Sequence, residues 1–193
     1  KLLAAALAML AALTAYLALW PVPVEPVAWV APPAPGYQGP HAANTRLAGL
    51  TLIALPAGES GPEHVVIGRD GRLYAAVASG RILRMNPDGS APEVYADTGG
   101  RVLGFDFDAD GRLIAADAVR GLLAVGSDRR VTVLADAVDG DPIRYADAVV
   151  VARSGRIYFS DASRRFAPAQ WGGTFEAAVL DIIEQRSTGR ILE

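Results

Sequence analysis

A turn recurs three times along the chain, and its period limits the fold more than any other feature. Asp70-Gly71-Arg72-Leu73-Tyr74, Asp110-Gly111-Arg112-Leu113-Ile114 and Ser154-Gly155-Arg156-Ile157-Tyr158 stand 40 and 44 residues apart. An apolar, strand-like run precedes each turn, at residues 64–67, 102–107 and 148–152. A further strand signal follows each, at 80–83, 121–124 and 189–192, and in the first two repeats a fourth run closes the unit at 93–96 and 131–135. Short runs bounded by turn residues and rich in β-branched and aromatic types read as antiparallel strands. Four such strands per unit of about 40 residues predict the blades of a β-propeller. A β-sandwich would space its turns similarly but without this self-similarity.

Three blades are counted, the third with its third strand delayed by an insert at 162–188. Propellers close with about 4–8 blades, so the complete protein is expected to be about twice as long. The chain begins on Lys1 rather than Met and ends inside a strand-like run at 189–193, so both ends read as cut. Within the insert, residues 174–186 place Phe175, Val179, Ile182 and Ile183 on one helical face, with Thr174 as a cap and Gly189 as a stop. A helix there would lie over one end of the propeller, either as a packed surface excursion or as a lid over a pocket.

Residues 2–20 carry no charge. As a helix they would be roughly 28 Å long, close to the hydrocarbon thickness of a bilayer, with Tyr16 and Trp20 at the outer end where aromatic belts sit. The reading is an uncleaved transmembrane signal-anchor at 1–20. A cleaved signal peptide and a buried helix are the rivals, although a signal's apolar region runs to only about 7–15 residues. Lys1 lies on the inner side and the next basic residue is Arg46, so the positive-inside rule places the rest on the exported side of a single-pass protein. Residues 21–43 are rich in proline and predict an extended linker. The propeller region is then 44–193. Composition adds exclusions: a net charge of −3 leaves no electrostatic footprint for nucleic acid, and the absence of cysteine removes disulfides, thiolate zinc sites and a cysteine nucleophile.

Counting back eight residues from each turn glycine reaches Glu63, Leu103 and Asp147. These are equivalent positions beside the first strand of each blade, the strand that lines a propeller's central channel. Glu63 and Asp147 are therefore candidate metal ligands, since oxygens converging from separate blades suit a hard cation such as Ca²⁺. The competing reading is two surface carboxylates at loop ends; Leu103 would supply wall. The stretch 106–117 imitates a calcium loop, with Asp106, Asp108, Asp110, Gly111 and Asp117. Its flanks are strands and Asp110-Gly111 is the blade's own turn, so it reads as structure. Asp117 and Asp161, six residues after their turn glycines, read as turn caps. His41 and His64 are the only histidines, His64 reading as loop structure, and no serine-hydrolase elbow or zinc-protease motif occurs.

At Gly61-Pro62-Glu63 and at residues 99–106, 144–163 and 181–192, the sequence resembles strictosidine synthase-like proteins, including bacterial relatives of adipocyte plasma membrane-associated protein. The wider group is the six-bladed calcium propellers of gluconolactonase, senescence marker protein and paraoxonase. The resemblance covers roughly residues 47–193. It implies an all-β fold: a six-bladed β-propeller, about three blades of it present, with an N-terminal transmembrane helix and a short helical insert. It also implies that Glu63 matches a metal-binding Glu of the first blade. Asp147 matches the ligand Asn of an Asn-Asp pair that here is Asp147-Ala148. Leu103 stands where paraoxonase-type members carry a His, and the glutamate of the plant condensing enzymes would lie in a later blade.

The function this implies is a membrane-anchored, Ca²⁺-dependent hydrolase of lactones or aryl esters, acting on a small-molecule substrate, with catalytic residues unassigned. A non-catalytic binding or scaffold propeller is the alternative, motivated by Leu103 and Ala148. An amine–aldehyde condensing enzyme of the strictosidine synthase type is the third.

Overall fold

A computed structural model describes residues 2–193. Its domain is built from antiparallel meanders. The first sheet orders β1 (Val65–Ile67), β2 (Leu73–Ala76), β3 (Arg81–Met85) and β4 (Glu93–Asp97) side by side. The second repeats this with β5 (Val102–Phe107), β6 (Leu113–Asp117), β7 (Gly121–Val125) and β8 (Val131–Ala135). A short hairpin, β9 (Ala137–Val138) and β10 (Asp141–Pro142), leads to the third sheet of β11 (Ala146–Val151), β12 (Ile157–Asp161) and β13 (Arg190–Leu192). Consecutive meanders stacked face to face are propeller blades.

The recurring turn has one geometry throughout. Gly71, Gly111 and Gly155 adopt φ of +74°, +80° and +85°, a region that glycine enters without steric penalty. Each glycine N–H donates to the carbonyl three residues back, on Gly68, Asp108 and Ala152, at 2.9, 3.1 and 2.9 Å. Asp108 fastens its turn, accepting from Asp110 N at 3.0 Å and from Arg112 Nε at 2.7 Å. The imitation calcium loop is thus a blade turn.

Packing explains why the middle blade reads as continuous apolar runs. Every residue of β6 and β7 is buried. Alternate side chains of a strand face opposite sides. Leu113, Ala115, Leu123 and Val125 join Tyr74, Ala76, Ile82 and Phe105 against the first blade. Ile114, Ala116, Leu122 and Ala124 join Ala146 and Phe159 against the third. Full burial of a residue such as Phe105 contributes about 1.5–3 kcal/mol.

Two buried carboxylates tie strand ends together, and one of them, Asp117, does so across a blade boundary. Asp117 accepts from Thr98 Oγ1 at 2.7 Å, Arg101 N at 3.1 Å and Val119 N at 2.9 Å. Asp161 accepts from Tyr145 N at 2.8 Å and Arg190 Nε at 3.0 Å. Asp117 caps a turn as expected, through Val119 N and Arg120 N, whereas among the described residues no N–H of a following turn donates to Asp161; both hold the entry of the innermost strand of their own blade.

The insert departs from expectation. Helix α2 is Thr174–Glu184, preceded by Gly173 at the N-cap with no side-chain cap, and it ends on Gln185 in the left-handed conformation. Thr174 does not cap it and Gly189 does not stop it. Nor do Phe175, Ile182 and Ile183 pack inward: they are 74%, 66% and 53% exposed. Ala177, Leu180 and Glu184 face the domain instead. Glu184 takes a buried place on that face because Arg165 Nε reaches it at 3.0 Å and Arg186 Nε at 3.5 Å.

Helix α1, Leu2–Leu19, is the one helix among the described residues long and apolar enough to cross a membrane, and none of its residues is buried. The proline-rich stretch after it forms neither α-helix nor strand, and it is not free along its whole length. Arg165 Nη2 donates to Pro23 O at 3.1 Å, and Val27 N donates to Glu184 O at 2.9 Å. A 3₁₀ turn, Gly39–His41, follows before the chain reaches the first blade.

Candidate metal site

Each innermost strand carries a bulge at the position eight residues before its turn glycine. Glu63 N donates to Ala76 O and Ala76 N to His64 O, both at 3.0 Å, so two successive residues oppose one. In the second blade the register slips between Val102 and Gly104, and in the third between Ala146 and Val149. A bulge adds one residue to a strand and re-aims the side chain there. Leu103 and Asp147 therefore lie within their strands at the bulge, and Glu63 lies just outside β1.

The bulges bring the expected residues together. Glu63, Leu103 and Asp147 line one open cleft of about 320 Å³ with Tyr145, Thr174 and Phe175. Leu103 is wall, as its side chain requires. Two residues not foreseen complete the site. Arg101 Nη2 donates to Glu63 Oε2 at 3.2 Å and to Gly61 O at 3.1 Å. Tyr145 donates its hydroxyl to Thr174 O at 2.8 Å, tying the first turn of α2 to the rim.

The electrostatics follow from that geometry. Asp147 is half-buried and its carboxyl is raised above the ordinary aspartate range, first by burial and then by the charge of Glu63. Among the described residues no donor is placed on that carboxyl. Burial, with Asp147 and Glu63 beyond it, pushes the Tyr145 phenol up to about 12, so it stays a donor at any physiological pH. His64 packs its ring edge-on against Phe105 at 4.9 Å between centroids, a structural role as expected.

Two carboxylates therefore share a cleft, one of them without a partner among the described residues. That arrangement fits a cation, which would relieve the repulsion the pair carries. Among the described residues no cluster of three or more His, Cys, Asp or Glu converges here or elsewhere. Asp106, the other acid of the imitation loop, is spent on the blade interface, where its Oδ2 accepts from Val151 N at 2.8 Å.

Comparison with known proteins gives the family. The family described as strictosidine synthase-like, N-terminal, matches residues 39–85, which include Glu63. Protein strictosidine synthase-like 4 of Arabidopsis thaliana is 34% identical over 137 residues, covering 68% of this chain and 35% of that protein. The chain belongs to the strictosidine synthase-like family. The mouse adipocyte plasma membrane-associated protein is 30% identical over 150 residues, covering 69% of this chain and 34% of that protein. This strictosidine synthase-like chain thus spans about a third of the length of the curated relatives it matches. Among solved structures, a gluconolactonase from Xanthomonas campestris is similar, with 24% identity, a TM-score of 0.48, and coverage of 52% of this chain and 34% of that one.

Proposed function

We propose that this chain supplies part of the active site of a membrane-anchored, Ca²⁺-dependent hydrolase of lactones or aryl esters. The observation that carries this reading is the meeting of Glu63 and Asp147 in one cleft, with no donor on the Asp147 carboxyl among the described residues. Ca²⁺ takes 6–8 oxygens at about 2.3–2.6 Å. Asp147 would offer its carboxylate, and Glu63 the oxygen that Arg101 leaves open. Other blades of a closed propeller, and water, would supply the rest. Bound there, the ion would polarise a carbonyl and stabilise the oxyanion developing on it. Leu103 and Phe175 would form an apolar wall for the ring of a substrate, and Arg101 would offset the surplus charge of the carboxylates. Helix α1 would anchor the protein, with the propeller on the exported side.

The test is hydrolysis of a panel of lactones and aryl esters by the protein in membranes, with and without chelator. Turnover lost on chelation, restored by Ca²⁺ and abolished by Glu63→Gln supports the reading. Turnover indifferent to both rejects it.

Leu103 favours one alternative. It puts an apolar side chain where a base would be useful, which suits a non-catalytic binding propeller. Ca²⁺ binding without turnover across the panel would favour that reading.

A further inference from the structure

We infer that residues 23–27 of the linker are a strap that sets the position of α2, and with it the rim that Thr174, Phe175 and Ala178 give to the candidate cleft. The inference needs neither the metal nor the membrane reading. Three observations carry it.

The first is a helix cap supplied from far away in the sequence. The last four carbonyls of a helix have no partner within it. Val27 N donates to Glu184 O, the final carbonyl of α2, at 2.9 Å. At 11 residues α2 is shorter than the roughly 12–15 below which an isolated helix is marginal in water. Phe175, Ile182 and Ile183 on its outer side stay exposed, so the helix is held by its ends and a narrow inner face.

The second is the buried carboxylate of Glu184. Its Oε2 accepts from Glu25 N at 3.1 Å, and its Oε1 accepts no hydrogen bond among the described residues. A buried carboxylate stripped of its donor is costly, so the strap supplies part of what lets Glu184 lie inward. The arginines that pair with Glu184 are engaged by the strap as well. Arg165 Nη2 donates to Pro23 O and Arg186 Nε to Glu25 O, both at 3.1 Å. Arg186 Nη2 also meets Glu25 Oε2 at 2.8 Å.

The third is that strap, helix and cleft share one apolar cluster. Val24 packs with Leu180 against the group of Leu103, Tyr145 and Ala177. Leu103 and Tyr145 line the cleft, and the Tyr145 hydroxyl holds Thr174 O in the first turn of α2. Just before that turn stand Gly172 and Gly173, with φ of +91° and +142°. Glycine enters such conformations freely, and the pair gives α2 a swivel once its far end is released. Docking of the strap and seating of a molecule against Phe175 therefore favour each other, and such coupling is reciprocal. Helix α1 ends at Leu19, and the four residues from there to Pro23 span at most about 14 Å. A displacement of α1 beyond that reach undocks the strap and loosens the rim.

Two substitutions undo the strap and one spares it. Val27→Pro deletes the N–H that caps α2, whereas Val27→Ala keeps it. Val24→Asp keeps every backbone donor but puts a charge into the apolar cluster. Hydrogen–deuterium exchange of the full chain in detergent micelles is read on residues 174–186, with residues 113–125 of the middle blade as reference. Val27→Pro and Val24→Asp should each speed exchange of α2 about tenfold or more and leave the reference unchanged; Val27→Ala should change neither. The absence of cysteine lets the rim be read as well. Nitroxides on Phe175→Cys and on Val65→Cys, an exposed position of β1, should give one narrow distance distribution in the parent and a broadened one with Val27→Pro. Exchange and distances unchanged by Val27→Pro and Val24→Asp would overturn the strap. So would faster exchange in Val27→Ala. Protection lost from the blade as well would make residues 23–27 a support of the whole domain and overturn their selective hold on the rim.

Discussion

Asp147 is held where burial and a like charge both act against ionisation. An aspartate whose folded-state pKa is raised binds its proton more tightly in the folded chain. Its contribution to stability is present below the unfolded value and lost as pH rises through the folded one. Asp147→Asn should therefore raise the melting temperature of the calcium-free protein at neutral pH, and flatten the loss of stability as pH rises across the acid range. The same substitution should abolish the stabilisation that added Ca²⁺ gives. Thermal denaturation across pH, with Ca²⁺ and with chelator, reads both effects. The position itself was legible, because eight residues before each turn glycine is a fixed place in a repeated blade. Counting back two further, to Gly61, Arg101 and Tyr145, would have found the rest of the rim, since residues two apart on a strand share a side. Its partners were not legible. That Arg101 reaches Glu63 across a blade boundary depends on how the sheets stack.

Elements divide by how they are covered. The strands of the middle blade were readable as apolar runs because neighbours bury both their faces. β5 and β11 approach each other tightly at Gly104, where an added Cβ would stand 2.6 Å from Asp147 O and 3.0 Å from Ala148 Cα. Gly104→Ala should destabilise the protein by about 1–3 kcal/mol, as overpacking does, and displace Asp147. Urea denaturation with a Ca²⁺ titration checks both; an unchanged midpoint and affinity would contradict this packing. The hairpin β9–β10 had its signal in Asp139-Gly140, whose φ values of +51° and +80° suit a tight two-residue turn. Helix α2 was foreseen and its orientation was not. An apolar stripe says which residues avoid water, not which surface covers them. Glu184 shows why: a carboxylate normally marks a solvent face, and here two arginines from beyond the helix let it lie inward.

At the scale of the molecule, repetition did most to specify the architecture, because each blade repeats one turn, one meander and one bulge. The last sheet leaves a face open, with Val150 and Ile191 53% and 73% exposed around an apolar groove. A further blade of a closed propeller would cover it, and such a blade would carry further oxygens to the channel mouth. The central claim is that Glu63 and Asp147 hold Ca²⁺ together. Calorimetric titration of Ca²⁺ into the protein, and into a Glu63→Gln, Asp147→Asn double variant with an unchanged circular-dichroism spectrum, tests it directly. The account predicts saturable binding in the parent and at least a tenfold loss of affinity, about 1.4 kcal/mol or more, in the variant. Equal binding in both, or none in the parent, would contradict it.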